Sequence, residues 1–193
     1  MKKTETHSQT EGTIIIVKTQ IVNVVATASL DQELDFEELR KYKEIFHDSD
    51  VYGGRVAYFK TETMQGKVSI FNSGKMISIG TTSEEKAFKE LELAARFIIK
   101  KGYAKPVELK PQTRNIVVTG DFETNANLEK LSETARAIYE PEQFPAAILR
   151  IEKPFRTSVL IFSSGRTVIT GLTSSTQIPP IIQHLAQLLK SNL

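Results

Sequence analysis

Residues 70–83 read IFNSGKMISIGTTS, and residues 161–174 read IFSSGRTVITGLTS. Ile, Phe, Ser, Gly, Gly, Thr and Ser coincide in order, and the flanking segments repeat as well. IVNVVATASLDQELDFEEL (21–39) lies over TRNIVVTGDFETNANLEKL (113–131), so that Asn23 falls on Asn115, Phe71 on Phe162 and Gly80 on Gly171. A unit of about ninety residues present twice is too long for a solenoid repeat and fits a pseudo-dimer of two similar halves. The chain must therefore adopt a fold that this unit can build twice.

Each half reads as a strand, a short helix, several strands and a longer helix. In the first, TIIIVKTQIVNVVATASL is β-branched and apolar, and DFEELRKYKEIF carries helical spacing from Phe36 through Leu39 to Tyr42. GRVAYFKTET, GKVSIFN and GKMISIG then predict a meander with turns at Gly66 and at Ser73–Gly74. Ser83 predicts a helix start, Glu84 and Glu85 suit its first turn, and Gly102 follows its last basic residues. In the second half NANLEKLSETAR is the short helix and QIPPIIQHLAQLLKS the long one, with Pro179 and Pro180 placed where a first turn tolerates them. The expected organisation is a disordered tail over 1–12, one repeat over 13–104 and a second over 105–193.

The strands pose a physical problem. Hairpin-linked antiparallel strands usually alternate apolar with polar residues, yet IVNVVAT, RNIVV, KMISI and TSVLIF are apolar on both faces. One long helix per half covers only one face, so something else must cover the other. A homodimer interface, a buried sandwich layer and a non-protein partner all remain open on the pattern alone.

Several classes are disfavoured by composition. The 193 residues contain no cysteine, which removes disulfide staples and thiolate metal sites and suits an intracellular compartment. The polar start MKKTETHSQTEG has no apolar signal core, and no stretch reaches the roughly 18 apolar residues of a membrane span. His7, His47 and His184 lack metal-ligand spacing, and FNSGK lacks the GxxxxGK[ST] phosphate-loop spacing. No catalytic residue, metal or cofactor is expected. The net charge of +2 makes whole-molecule attraction to nucleic acid weak, so any such case rests on where the cations sit.

Taken together, YEPEQFPAAILRIEKPFRTSVLIFSSGRTVITG (139–171), IVNVVAT and their ordered duplication resemble the TATA-box-binding protein family, most closely its archaeal core type. The likeness runs from about residue 14 to 190. It implies an α+β saddle of two pseudo-symmetric repeats: a curved antiparallel sheet of ten strands, helices on the convex face and promoter DNA beneath the concave one. It also implies the family's known mode of binding, in which strands lie in the minor groove and apolar wedges kink the DNA.

The resemblance assigns roles residue by residue. Asn23 and Asn115 match the paired central asparagines, flanked by Val25 and Val117; Ile77, Ile79, Leu160, Val168 and Thr170 match floor positions against sugars and base edges. Phe71, Phe144 and Phe162 match three of four wedges. The fourth position falls on Gly54, with Tyr52, Tyr58 and Phe59 as nearby unaligned aromatics. Ile79 and Ser69 stand where the family has threonine and leucine, so the first repeat is the diverged one. Lys60, Lys75, Arg150 and Arg166 match phosphate-contacting cations. Tyr139, Glu140 and Glu142 match the loop that meets transcription factor B, where the first half has HDSD instead.

The implied function is a transcription initiation factor that binds and bends A·T-rich double-stranded promoter DNA and recruits transcription factor B and, indirectly, RNA polymerase. The implied site of action is the chromosome, in the cytoplasm for an archaeal-type protein and in the nucleus for a eukaryotic one, with no membrane partner. The alternative is a diverged paralogue acting as a regulatory protein-interaction factor with weak or altered DNA binding. A third reading, an accessory domain of a nucleic-acid enzyme, is disfavoured because 193 residues leave no room for a catalytic domain.

Overall fold

The β-branched runs form long ladders, and the meanders fold as the turn residues predict. The computed structural model describes residues 4–8, 15–50 and 52–191. Its strands are β1 (Thr4–Ser8), β2 (Ile15–Ser29), β3 (Ile45–His47), β4 (Val56–Phe59), β5 (Lys67–Phe71), β6 (Lys75–Thr81), β7 (Gln112–Asp121), β8 (Ala146–Ile151), β9 (Thr157–Phe162) and β10 (Arg166–Leu172). The helices are α1 (Glu84–Lys100), α2 (Leu128–Ala135) and α3 (Ile178–Ser191), and the fold is α+β. All ten described strands lie in antiparallel ladders.

The chain divides into two compact units, one of residues 23–114 and one of residues 115–193 with the segment up to residue 22. The division in space thus falls at two corresponding residues, Asn23 and Asn115, whereas the expected repeat boundary lies at 104/105. β2 is one continuous strand of fifteen residues, and the spatial division cuts through it. In the first unit the strand order is β3-β4-β5-β6-β2; in the second, β8-β9-β10-β7. Each unit thereby repeats the same meander beside its leading strand.

Within each unit a helix covers one side of the strands. Ala87, Leu91, Ala94 and Ile98 of α1 are buried with Val24, Ala26, Val68, Ile70 and Met76 from alternate strand positions. In the second unit Ile181, Ile182, Leu185 and Leu189 of α3 are buried with Ile116, Val118, Val159, Ile161 and Ile169. Burying each of the larger side chains contributes about 1.5–3 kcal/mol, so these layers hold the units together. Ser83 caps α1 through a bond from the Lys86 N–H, and Ser174 with Gln177 forms a capping box ahead of α3.

The repeated hairpins have a shared reason for their glycines. Gly74 and Gly165 sit at φ +80° and +77°, and a Cβ on either would overlap a carbonyl oxygen, that of Gln32 or of Thr124. The Leu30 N–H donates to Gly74 O at 2.9 Å, as the Phe122 N–H does to Gly165 O at 3.2 Å. Leu34 and Ala126 make the same second bond, to Asn72 O and Ser163 O. The hairpin tip is therefore clamped identically in both halves.

Two expectations are corrected. The helix over DFEELRKYKEIF reduces to a 3₁₀ turn at Leu39–Lys41, and the chain then extends into β3 to pair with β4. Burial of Phe36, Leu39 and Ile45 together fixes this path in preference to a continuing helix. Within the expected tail, Thr4–Ser8 form β1 against Thr19–Ile15 of β2, whose fifteen-residue length supplies the edge; residues 1–3 and 9–12 lie outside the described residues.

Candidate nucleic-acid interface

Side chains directly opposite one another in an antiparallel ladder point to the same side. The pairing therefore traces rows across the strand faces not covered by the helices. In the first unit one row runs Thr27–Ile77–Ser69–Tyr58–Phe46. Its counterpart in the second unit runs Thr119–Val168–Leu160–Ile148–Ile138. These positions are half-buried or exposed, whereas their strand neighbours are buried except His47, which is half-buried. Val25 and Ile79 pair in the next row, Ile79 being 38% exposed, and Val117 and Thr170 occupy the corresponding positions. The predicted floor residues thus lie on one open face in each unit.

The asparagines are held in a defined orientation. Asn23 Oδ1 accepts the Gly80 N–H at 2.9 Å, and Asn115 Oδ1 accepts the Gly171 N–H at 2.7 Å. The Thr170 hydroxyl adds a second tether to Asn115 Oδ1 at 3.3 Å; Ile79, at that place in the first unit, provides none. Because a backbone N–H can only donate, these bonds assign the amide oxygen inward and leave Nδ2, a double donor, for another partner. Both units thus offer one oriented donor group amid apolar side chains.

The wedge positions differ between the units. Phe162 pairs with Ala146, and Phe144 lies edge-on to Phe162 with ring centroids 6.3 Å apart. Phe144 is 40% exposed, and its N–H donates to Glu140 O at 2.9 Å, so the turn after Tyr139 positions the ring. Tyr139 is half-buried, while Glu140 and Glu142 are exposed.

In the first unit Phe71 pairs with Val56, which places Gly54 where the second unit has Phe144. Phe71 has no ring partner among the described residues. The difference reaches the backbone: Tyr52, Gly53 and Gly54 have φ of 52°, 60° and 71°, a run of left-handed conformations that a bulky residue enters at a cost. Of the unaligned aromatics, Phe59 is 1% exposed and packs on Phe97 in the core. Tyr52 is exposed on the turn, and Tyr58 lies in the open row beside Phe46.

The cations also separate. Three donor directions of the Lys60 ammonium go to the carbonyls of Met64, Gln65 and Gly66, so this side chain clamps its own loop. Arg150 is exposed and lines a cleft with Arg156, Ser158 and Thr170. A cleft on the first unit is lined by Thr27, Phe71, Lys75, Ile77, Lys110 and Arg114. Its counterpart is lined by Lys18, Thr119, Asp121, Phe162, Arg166 and Val168. In the second cleft Lys18 pairs with Glu123, and Arg166 with Asp121 at 3.6 Å. Lys75, Lys110 and Arg114 have no ion pair among the described residues, and Arg114 Nε donates to Thr27 Oγ1 at 2.8 Å. Opposite Lys75 stands Ser29 where the second unit has Asp121 opposite Arg166. Sequence reasoning missed Lys18, Lys110, Arg114 and Phe46; extending the offset between Asn23 and Asn115 toward the N-terminus would have paired Lys18 with Lys110.

Among the described residues no group of three or more His, Cys, Asp or Glu side chains is arranged to hold a metal, and no helix is long and apolar enough to cross a membrane.

A family model described as "Transcription factor TFIID (or TATA-binding protein, TBP)" matches residues 18–101 and again 110–192. A TATA-box-binding protein of Cenarchaeum symbiosum is 37% identical over 160 residues, covering 82% of this chain and 87% of the relative. One of Sulfolobus acidocaldarius is 34% identical over 167 residues, covering 86% and 83%. The solved structure of Methanococcus jannaschii TBP superposes with a TM-score of 0.79 at 26% identity, over 90% of this chain and 98% of that one. Matched twice along its length by that family's repeat, the chain belongs to the TATA-binding protein family.

Proposed function

We propose that this protein is a transcription initiation factor that binds A·T-rich promoter DNA through the minor groove, bends it, and recruits transcription factor B and thereby RNA polymerase. The observation that carries the reading is the pair of amides, Asn23 and Asn115, each turned by a glycine N–H to present donors. The A·T minor groove offers adenine N3 and thymine O2 as acceptors, and the guanine amino group is absent there. The aliphatic residues around the amides suit such a floor and exclude that amino group sterically. Apolar wedges unstack base steps and bend the duplex toward the major groove, a role that fits Phe144 and Phe162. Lys75, Arg150 and Arg166 contact phosphates, and exposed Glu140 and Glu142 contact transcription factor B. The protein acts on the chromosome, without catalysis and without a cofactor.

The left-handed turn at Gly54 favours one competing reading, a diverged paralogue that regulates through protein contacts. A gel-shift titration separates the two: wild type is expected to bind a TATA duplex more tightly than a G·C control, and more tightly still with transcription factor B present. Equal binding to both duplexes in both conditions would reject the initiation-factor reading.

A further inference from the structure

The first unit lacks an aromatic at Gly54 but displays another ring pair on its open face. Phe46 of β3 lies directly opposite Tyr58 of β4 and is 63% exposed, an unusual position for phenylalanine in a soluble chain. The two rings are stacked, with centroids 6.4 Å apart and planes inclined by 29°. Lys67 Nζ sits 4.6 Å from the Tyr58 centroid, which puts a cation beside the aromatic surface. The matching pair in the second unit is Ile138–Ile148, so the aromatics occur in the unit without the second wedge. They also extend the row Thr27–Ile77–Ser69, where Ser69 leaves the floor shallow in comparison with Leu160.

We infer that Phe46 and Tyr58 form the DNA-stacking element of the first unit, taking the place of the missing partner of Phe71, with Lys67 serving the adjacent phosphate. This rests on the proposed minor-groove function. The occupant is double-stranded A·T-rich DNA, because the pair is continuous with the candidate groove floor and has the Lys67 ammonium over the Tyr58 ring. Aromatic faces stack on bases without sequence readout, and an exposed, flat ring pair beside an ammonium is suited to a base or sugar next to a phosphate.

The test uses the full chain, a TATA duplex labelled at both ends for energy transfer, and anisotropy for affinity. The variants are Phe46→Ala and the double change Phe46→Ile with Tyr58→Ile, which copies the second unit and keeps strand-compatible side chains. Thermal unfolding is expected to stay near wild type for the double variant. Its affinity is expected to fall about fivefold to a hundredfold, the range of one base–aromatic stack, with a smaller bend. Wild-type affinity and bend in both folded variants, while Phe144→Ala loses them, would overturn the inference and leave the minor-groove reading intact. Loss only of transcription factor B binding, with DNA binding unchanged, would also overturn it and make the pair a protein contact. If wild type itself failed to prefer TATA over G·C DNA, the underlying functional reading would fall instead.

Discussion

Changing Asn115 to Asp removes the donor of this side chain, keeps its acceptor and adds a negative charge. The carboxylate supplies an oxygen for the Gly171 N–H at 2.7 Å and the Thr170 hydroxyl at 3.3 Å, so the local backbone keeps its partners. The outward NH₂, a double donor, becomes an acceptor-only oxygen. Facing adenine N3 and thymine O2, the variant loses a contact worth about 1–3 kcal/mol. The added negative charge costs about 2 kcal/mol against a phosphate at ~8 Å with an effective dielectric near 20, less with salt. Together these give about 2–5 kcal/mol, or roughly thirtyfold to several-thousandfold in Kd. Anisotropy titration of a TATA duplex at fixed salt reads the loss, and thermal unfolding shows that the fold is retained. Asn115→Ala removes the donor without adding charge and is expected to fall between wild type and the aspartate variant. Asn115→Asp binding within threefold of wild type, with unfolding unchanged, would refute the donor reasoning.

Phe144→Ala is expected to reduce DNA bending more than Phe71→Ala, because of these two only Phe144 packs on a second ring; equal losses by energy transfer would contradict this. Lys75→Ala is expected to lower the salt slope of DNA binding by about 0.9, and Arg166→Ala by less, since Asp121 already partners Arg166; identical slopes would oppose this. Gly165→Ala is expected to lower stability by at least about 2 kcal/mol, as a left-handed φ of +77° combines with overlap on Thr124 O; an unchanged denaturation midpoint would show the hairpin tip to be loose.

The duplication, the hairpin glycines and the cap of α1 were legible because each follows from local chemistry at fixed spacing. The open face was legible as strands apolar on both sides, and Gly54 as the gap in the wedge pattern. The orientation of Asn23 and Asn115 was not, because it depends on the N–H of a glycine fifty-seven or fifty-six residues away. Lys60 resembled a phosphate contact in sequence, but its charge is used by three nearby carbonyls that no periodicity encodes. Phe46 was hidden within a helical pattern. Phe36, Leu39 and Tyr42 have helix spacing, yet pairing with β4 makes residues 45–47 a strand and turns Phe46 outward. Tertiary pairing outweighed a weak local preference there, in keeping with the small energies of helix propensity.

Base substitution in the DNA distinguishes minor-groove reading by the open faces from any other mode of recognition. Inosine·cytosine pairs carry the major-groove pattern of G·C but lack the guanine amino group, so their minor groove resembles that of A·T. Affinity for a TATA site rebuilt with inosine·cytosine pairs is predicted to stay within a few-fold of the natural site, while the same site with guanine·cytosine binds far more weakly. If the inosine site bound as poorly as the guanine site, recognition would not run through the minor groove.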